Sequence, residues 1–175
     1  MKLKYFISAA ILPLLLMIAA CDPREDPQSA LRDALTFHAS FDNGVNADFA
    51  NGDPVLYTAT AVRPELRTRA GLPEEVSVTQ GEGQFGNCLS FNPPDDIKGT
   101  RTFYKLKDNL PYKTEDWAGT ISFWLRVTPD EDLRPGYTDP IQLTPRSALD
   151  GCLWVDFDLS EERVFRMGAF PDKKY

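Results

Sequence analysis

The chain has 175 residues, 42% of them hydrophobic, with 26 acidic against 19 basic side chains and a formal charge of −7. That balance argues against nucleic acid and against anionic lipid headgroups as surface partners. Fourteen prolines, eleven glycines and eleven phenylalanines point to short strands broken by turns rather than to long helices.

Met1-Lys2-Leu3-Lys4 is a basic start, and Tyr5 to Met17 is apolar apart from Ser8 and Pro13. The apolar run of about 16 residues is short of the ~20 needed to span a bilayer core, and its flanks are those of a processed leader. It ends in Ile18-Ala19-Ala20-Cys21, an apolar residue, two small residues and a cysteine. This resembles the lipobox of bacterial lipoproteins. The resemblance implies that residues 1–20 are a signal peptide and that Cys21 becomes the lipidated first residue. The protein is then anchored to a bacterial membrane, facing periplasm or exterior. Asp22 resembles the inner-membrane retention signal of enteric bacteria, a rule that differs between phyla and leaves inner and outer membrane both open. With Lys2 and Lys4 removed, the remaining ~155 residues carry about −9, a size suited to one domain with a real core.

Residues 21–34 are polar, carry Pro23 and Pro27, and read as a tether between lipid and domain, with room for a helical turn over Ser29–Asp33. From Leu35 the pattern alternates: Leu35, Phe37, Ala39 and Phe41 fall on one face, Thr36, His38, Ser40 and Asp42 on the other. That predicts a half-buried strand, ended by Asp42-Asn43-Gly44. Further strands are predicted at Val55–Ala61, Val76–Gln80, Asn87–Phe91, Thr102–Lys105, Thr120–Val127, Pro140–Leu143, Cys152–Leu159 and Val164–Phe170. About nine short strands without a long helix predict an all-β antiparallel sandwich over residues 35–175.

Three segments carry a family resemblance. Leu35–Asp42 resembles the opening strand of laminin G-like domains of the concanavalin A-like lectin/glucanase superfamily. Gly83-Gln84-Phe85-Gly86-Asn87-Cys88-Leu89-Ser90-Phe91 is similar to their Gly-x-Phe-Gly-x-Ala-Leu-x-Phe segment, with Cys88 at the small-residue position. Gly119–Val127, with Thr120-Ile121-Ser122-Phe123-Trp124, is similar to their Thr-Ile-Ser-Phe-Trp strand. The resemblance implies a jelly-roll sandwich and a glycan-binding or surface-protein-binding module. Members continue with a Trp-containing strand and a closing strand, so it also implies a domain incomplete at its C-terminus or a short variant.

Several residues could carry chemistry. Asp156, Asp158 and Glu161 reproduce the spacing of Glu-x-Asp-x-x-Glu in some glucanases of the superfamily, with Asp at the nucleophile position; retaining hydrolysis needs carboxyls about 5–5.5 Å apart. The shorter Asp pulls a nucleophile back, and the bland reading is a half-exposed strand running into an acidic turn. Asp42, Asn43, Asp48, Asn51 and Asp53 offer hard oxygens for calcium in one loop, or serve as turn residues. Trp117, Trp124 and Trp154 are the tryptophans on which a sugar could stack, with Tyr104, Tyr112 and Tyr137 beside them in the aromatic inventory. With Cys21 acylated, Cys88 and Cys152 remain as an even pair, either disulfide-bonded or two separate apolar thiols. The single histidine, His38, gives no metal spacing with them and no triad.

Overall fold

The computed structural model describes residues 26–62, 65–92, 100–111, 116, 118–144 and 153–169. The chain divides into two units at Leu35/Thr36. The described part of the first is helix α1, Pro27–Ala34. Asp26 caps it by accepting from the Gln28 N–H at 3.2 Å, Pro27 opens it where a missing N–H costs nothing, and Arg32 lies in its last turn. It is longer than the predicted turn and buries no residue. No helix among the described residues is long and apolar enough to cross a membrane.

The second unit is built from antiparallel strands, as its composition predicts. β1 (Phe37–His38) pairs with β2 (Phe49–Ala50). β3 (Tyr57–Val62) is central between β4 (Glu65–Ala70) and β7 (Thr100–Phe103). β5 (Val76–Thr79) pairs with β6 (Cys88–Phe91). A short helix α2 (Pro129–Asp132) precedes a second three-stranded sheet, in which β9 (Leu153–Phe157) lies between β8 (Thr138–Leu143) and β10 (Phe165–Ala169). Among the described residues these form four ladders of two and three strands. Among the described residues, Leu56, Ala59, Val76, Val155 and Phe157 are the buried apolar ones. The Thr58 hydroxyl, equally buried, donates to the Gly71 carbonyl at 2.6 Å, so burying it leaves no polar atom unpaired.

The predicted strands survive at seven of nine places with shifted ends. The first is cut to two residues, because Phe41 takes a positive φ of 68° and turns the chain. Thr120–Val127 forms no ladder at all. Its β-branched and aromatic residues fit a pleated surface, but a strand is stabilised by cross-strand neighbours, and here it has none among the described residues. Trp124 is consequently 70% exposed. β4 escapes the alternation criterion because Glu-Leu-Arg-Thr-Arg-Ala is mostly polar; it forms by pairing along the whole of β3.

Two buried side chains tie loops together. Asn109 accepts from the Gly52 N–H at 2.8 Å and donates to the carbonyls of Asp53 and Lys105, each at 2.9 Å. The Arg163 guanidinium donates to the carbonyls of Pro129, Leu133 and Gly136 and to the Thr138 hydroxyl, gathering α2 and the approach to β8 around one side chain.

Candidate functional site

The most complete constellation lies on one face of the β8–β9–β10 sheet. Alternation along β9 sends Leu153, Val155 and Phe157 one way and Trp154 and Asp156 the other. Antiparallel pairing places Gly168 opposite Trp154 and Arg166 opposite Asp156. On the other side Gln142 lies opposite Trp154. The register shifts between Thr138 and Ile141, so Asp139 and Pro140 occupy a bulge beside Asp156. Such bulges re-aim side chains next to binding sites.

Trp154 occupies the space that Gly168 leaves: a Cβ on Gly168 would meet the ring at 3.1 and 3.3 Å. The indole lies on the same face as Asp156 and adds a minor part to holding that carboxyl low. Asp156 in turn receives Arg166 Nε at 2.8 Å and Nη2 at 2.6 Å, a bidentate clamp. The Asp156 carboxylate is nearly buried, whereas the guanidinium is half exposed and sits 5.7 Å from the centre of the Tyr137 ring. Arg166 holds the Asp156 carboxyl below the usual carboxylate range, chiefly by that hydrogen bond. Asp139 moves the other way: partial burial raises it, the neighbouring Asp156 charge adds to the effect, and Arg166 offsets part. Gln142 Nε2 reaches Asp139 at 3.4 Å, at the edge of hydrogen-bonding range.

The surface so formed has an indole packed on glycine, an exposed tyrosine, an amide beside a carboxylate, and a half-exposed guanidinium. Rings offer a stacking plane, and planar polar groups offer paired donors and acceptors. Asp139 and Asp156 differ in the direction of their shifts, as acid and base do, but both Asp156 oxygens are occupied by Arg166.

The glucanase-like triplet is divided. Asp156 belongs to the sheet face just described. Asp158 Oδ1 accepts from the N–H groups of Ser160 and Val164 at 3.0 and 3.1 Å and from the Ser160 hydroxyl, whose bond is the main reason its carboxyl titrates low. Glu161 is exposed in the turn that follows. Asp158 and Glu161 share an open depression of about 310 Å³ with Asp130, Ser160 and Arg163.

The five loop residues proposed for calcium are distributed over separate hydrogen-bond systems. Asp42 Oδ1 accepts from the Asn87 N–H at 2.7 Å, with Gly86 (φ +75°) packed so closely that a Cβ would strike the carboxylate. Asp48 accepts from Asn43 at 3.1 Å and from the Ser40 N–H at 2.6 Å, and faces His38 Nδ1 at 3.5 Å; these bonds, Asn43 first, lower it to about 2. Asp53 accepts from Lys105 Nζ at 2.8 Å, Tyr57 Oη at 2.9 Å and the Val55 N–H at 3.0 Å, and Lys105 leads in lowering it to about 2. Asn51 is exposed and its backbone N–H pairs with the Thr36 carbonyl at 3.0 Å. Among the described residues no three His, Cys, Asp or Glu side chains are grouped to hold a metal ion.

Of the two described tryptophans, Trp154 is the one set into the polar sheet face. Trp124 packs edge-on against Phe85, ring centres 5.7 Å apart, both more than two-thirds exposed. Trp117, Cys21 and Cys152 lie outside the described residues. Cys88 is a half-buried free thiol on β6, opposite Thr79. Tyr104 is spent on structure: its hydroxyl donates to the Val45 carbonyl at 2.6 Å, and burial pushes it up to about 12. Comparison with known protein families, with curated proteins and with solved structures finds no match to this chain.

Proposed function

We propose that this chain is a lipid-anchored recognition module of the bacterial cell envelope, a laminin G-like sandwich that binds glycan without catalysis. Cys21 carries the lipid, and residues 21–34 space the domain from the membrane. The ligand face is the polar side of the β8–β9–β10 sheet. One observation carries this reading: Trp154 is packed over Gly168 on a face that also presents Gln142, Asp139, Arg166 and Tyr137. A preformed aromatic plane ringed by orienting polar groups is the chemistry of a saccharide site. The bidentate use of Asp156 by Arg166 and the turn-capping use of Asp158 Oδ1 favour binding over hydrolysis, since both carboxylates are engaged in structural hydrogen bonds.

The test is a glycan array with the purified chain, run with calcium and with chelator, beside Trp154→Phe and Gln142→Ala. Binding that both substitutions weaken supports the reading. Binding to no glycan in either condition overturns it in favour of a structural or protein-adhesion domain. Release of reducing ends from a bound polysaccharide overturns the non-catalytic part in favour of a hydrolase or lyase.

A further inference from the structure

The face that carries Trp154 has a charge balance of its own. Arg166 clamps Asp156 at 2.8 and 2.6 Å and is close enough to Asp139 and Asp158 to act on both carboxyls. One guanidinium therefore answers three carboxylates, on a chain that is acidic throughout. Arg166 is also poorly placed to take up an anion from a ligand. The two-donor edge formed by its Nε and Nη2 is in use, and the Asp156 charge already matches its own. Asp139 stands differently. Two residues, Asp139 and Pro140, occupy the bulge opposite Asp156, which brings the Asp139 carboxylate to this face. Among the described residues it is paired with no cation, and it is exposed with Gln142 Nε2 3.4 Å away. Burial raises its carboxyl and the Asp156 charge adds to the effect, so negative charge is already disfavoured there.

Resting on the glycan-binding reading above, we propose that this face takes saccharides free of acidic groups and turns away those bearing uronate, sulfate or phosphate, with Asp139 as the residue that sets the choice. A sugar hydroxyl both donates and accepts. Asp139 accepts from one ring hydroxyl, and the Gln142 amide donates to its neighbour or accepts from it. The apolar face of the same ring lies against the Trp154 plane, which is packed over Gly168. Tyr137, 64% exposed with its ring beside Arg166, extends that surface. An acidic sugar finds the same rings but brings its charge against Asp139, and like charges set together across an interface suppress the wrong partner. Specificity is then built from a repulsive group against the competitor as well as from contacts to the ligand.

The test uses the full chain in detergent on an array that prints neutral oligosaccharides beside their uronate and sulfated forms. The neutral form should bind at least roughly tenfold more tightly than its acidic counterpart. Asp139→Asn keeps the shape and drops the charge, so the ratio should fall toward one, and Asp139→Lys should move it further toward the acidic form. A variant that folds less well weakens both forms alike, and circular dichroism checks the fold separately. Raising ionic strength from ~0.01 M to ~1 M should narrow the gap by screening. Acidic forms that bind as tightly as neutral ones, with Trp154→Phe weakening both, overturn the inference and leave the glycan reading standing. An unmoved ratio in folded Asp139→Asn and Asp139→Lys overturns the role given to Asp139. Binding to no glycan of either kind overturns the glycan reading and this inference with it.

Discussion

Trp154 and Gly168 are directly opposite on neighbouring strands, and the indole fills the space that a Gly168 side chain would need, at 3.1 Å from a would-be Cβ. Glycine weakens a strand for lack of a side chain to pack, and here a cross-strand aromatic ring supplies that packing. Gly168→Val should therefore displace the ring and cost about 1–3 kcal/mol, the usual cost of overpacking a filled site. Urea unfolding gives the magnitude, and a red shift of tryptophan emission reports the displaced indole. An unchanged midpoint and spectrum would show that the ring is not fixed there.

The Asp156–Arg166 clamp predicts an acid sensitivity with a definite sign. Arg166 holds Asp156 below its ordinary 3.8 in the folded chain. A carboxyl depressed on folding adds stability above its unfolded value and loses it as pH falls through the folded value. Arg166→Met should lower stability at pH 7, by a modest amount because the guanidinium is half exposed. The difference between variant and parent should shrink below about pH 4. A constant difference from pH 7 to 2 would place the cost in packing instead.

Asp48 and Asp53 make a second acid-sensitive pair of sites. Both are lowered from 3.8 to about 2, so the stability they add is present above 3.8 and lost as pH falls through 2. Carboxyl titration by NMR should place both midpoints near 2, and Lys105→Met should raise that of Asp53 alone. Movement of Asp48 in the same variant would mean that the two loop systems are coupled.

Arg163 is a buried guanidinium whose partners are three carbonyls and a hydroxyl. Lysine keeps the charge but not the planar fork, so Arg163→Lys should cost about 2–3 kcal/mol. Hydrogen exchange should quicken in residues 129–138 before it does in β9. Uniform acceleration would show that the side chain supports the whole sheet.

The strands were largely legible because alternation survives wherever one face is covered, as in Leu153–Phe157. What the sequence conceals is partnership. Thr120–Val127 has the composition of a strand, and no ladder forms there; Glu65–Ala70 lacks it, and β3 recruits that segment all the same. The candidate site was visible only in part. Trp154, Tyr137 and Asp156 stand out as residue types, but Asp139, Gln142 and Arg166 join them through register. The opposite charges of Asp156 and Arg166 across a seven-residue connection were the available clue, since in a hairpin they fall opposite each other. The loop carboxylates show the converse: Asp42, Asp48 and Asp53 are close in sequence, and each answers to a different donor.

The most direct measurement is heteronuclear NMR of the chain titrated with the best oligosaccharide from the array. The proposal predicts shifts centred on the Trp154 indole, the Gln142 amide and the Arg166 Nε–H, with saturation and with loss in Trp154→Phe. Shifts centred instead on Phe85 and Trp124, or no shifts with any oligosaccharide, would contradict it.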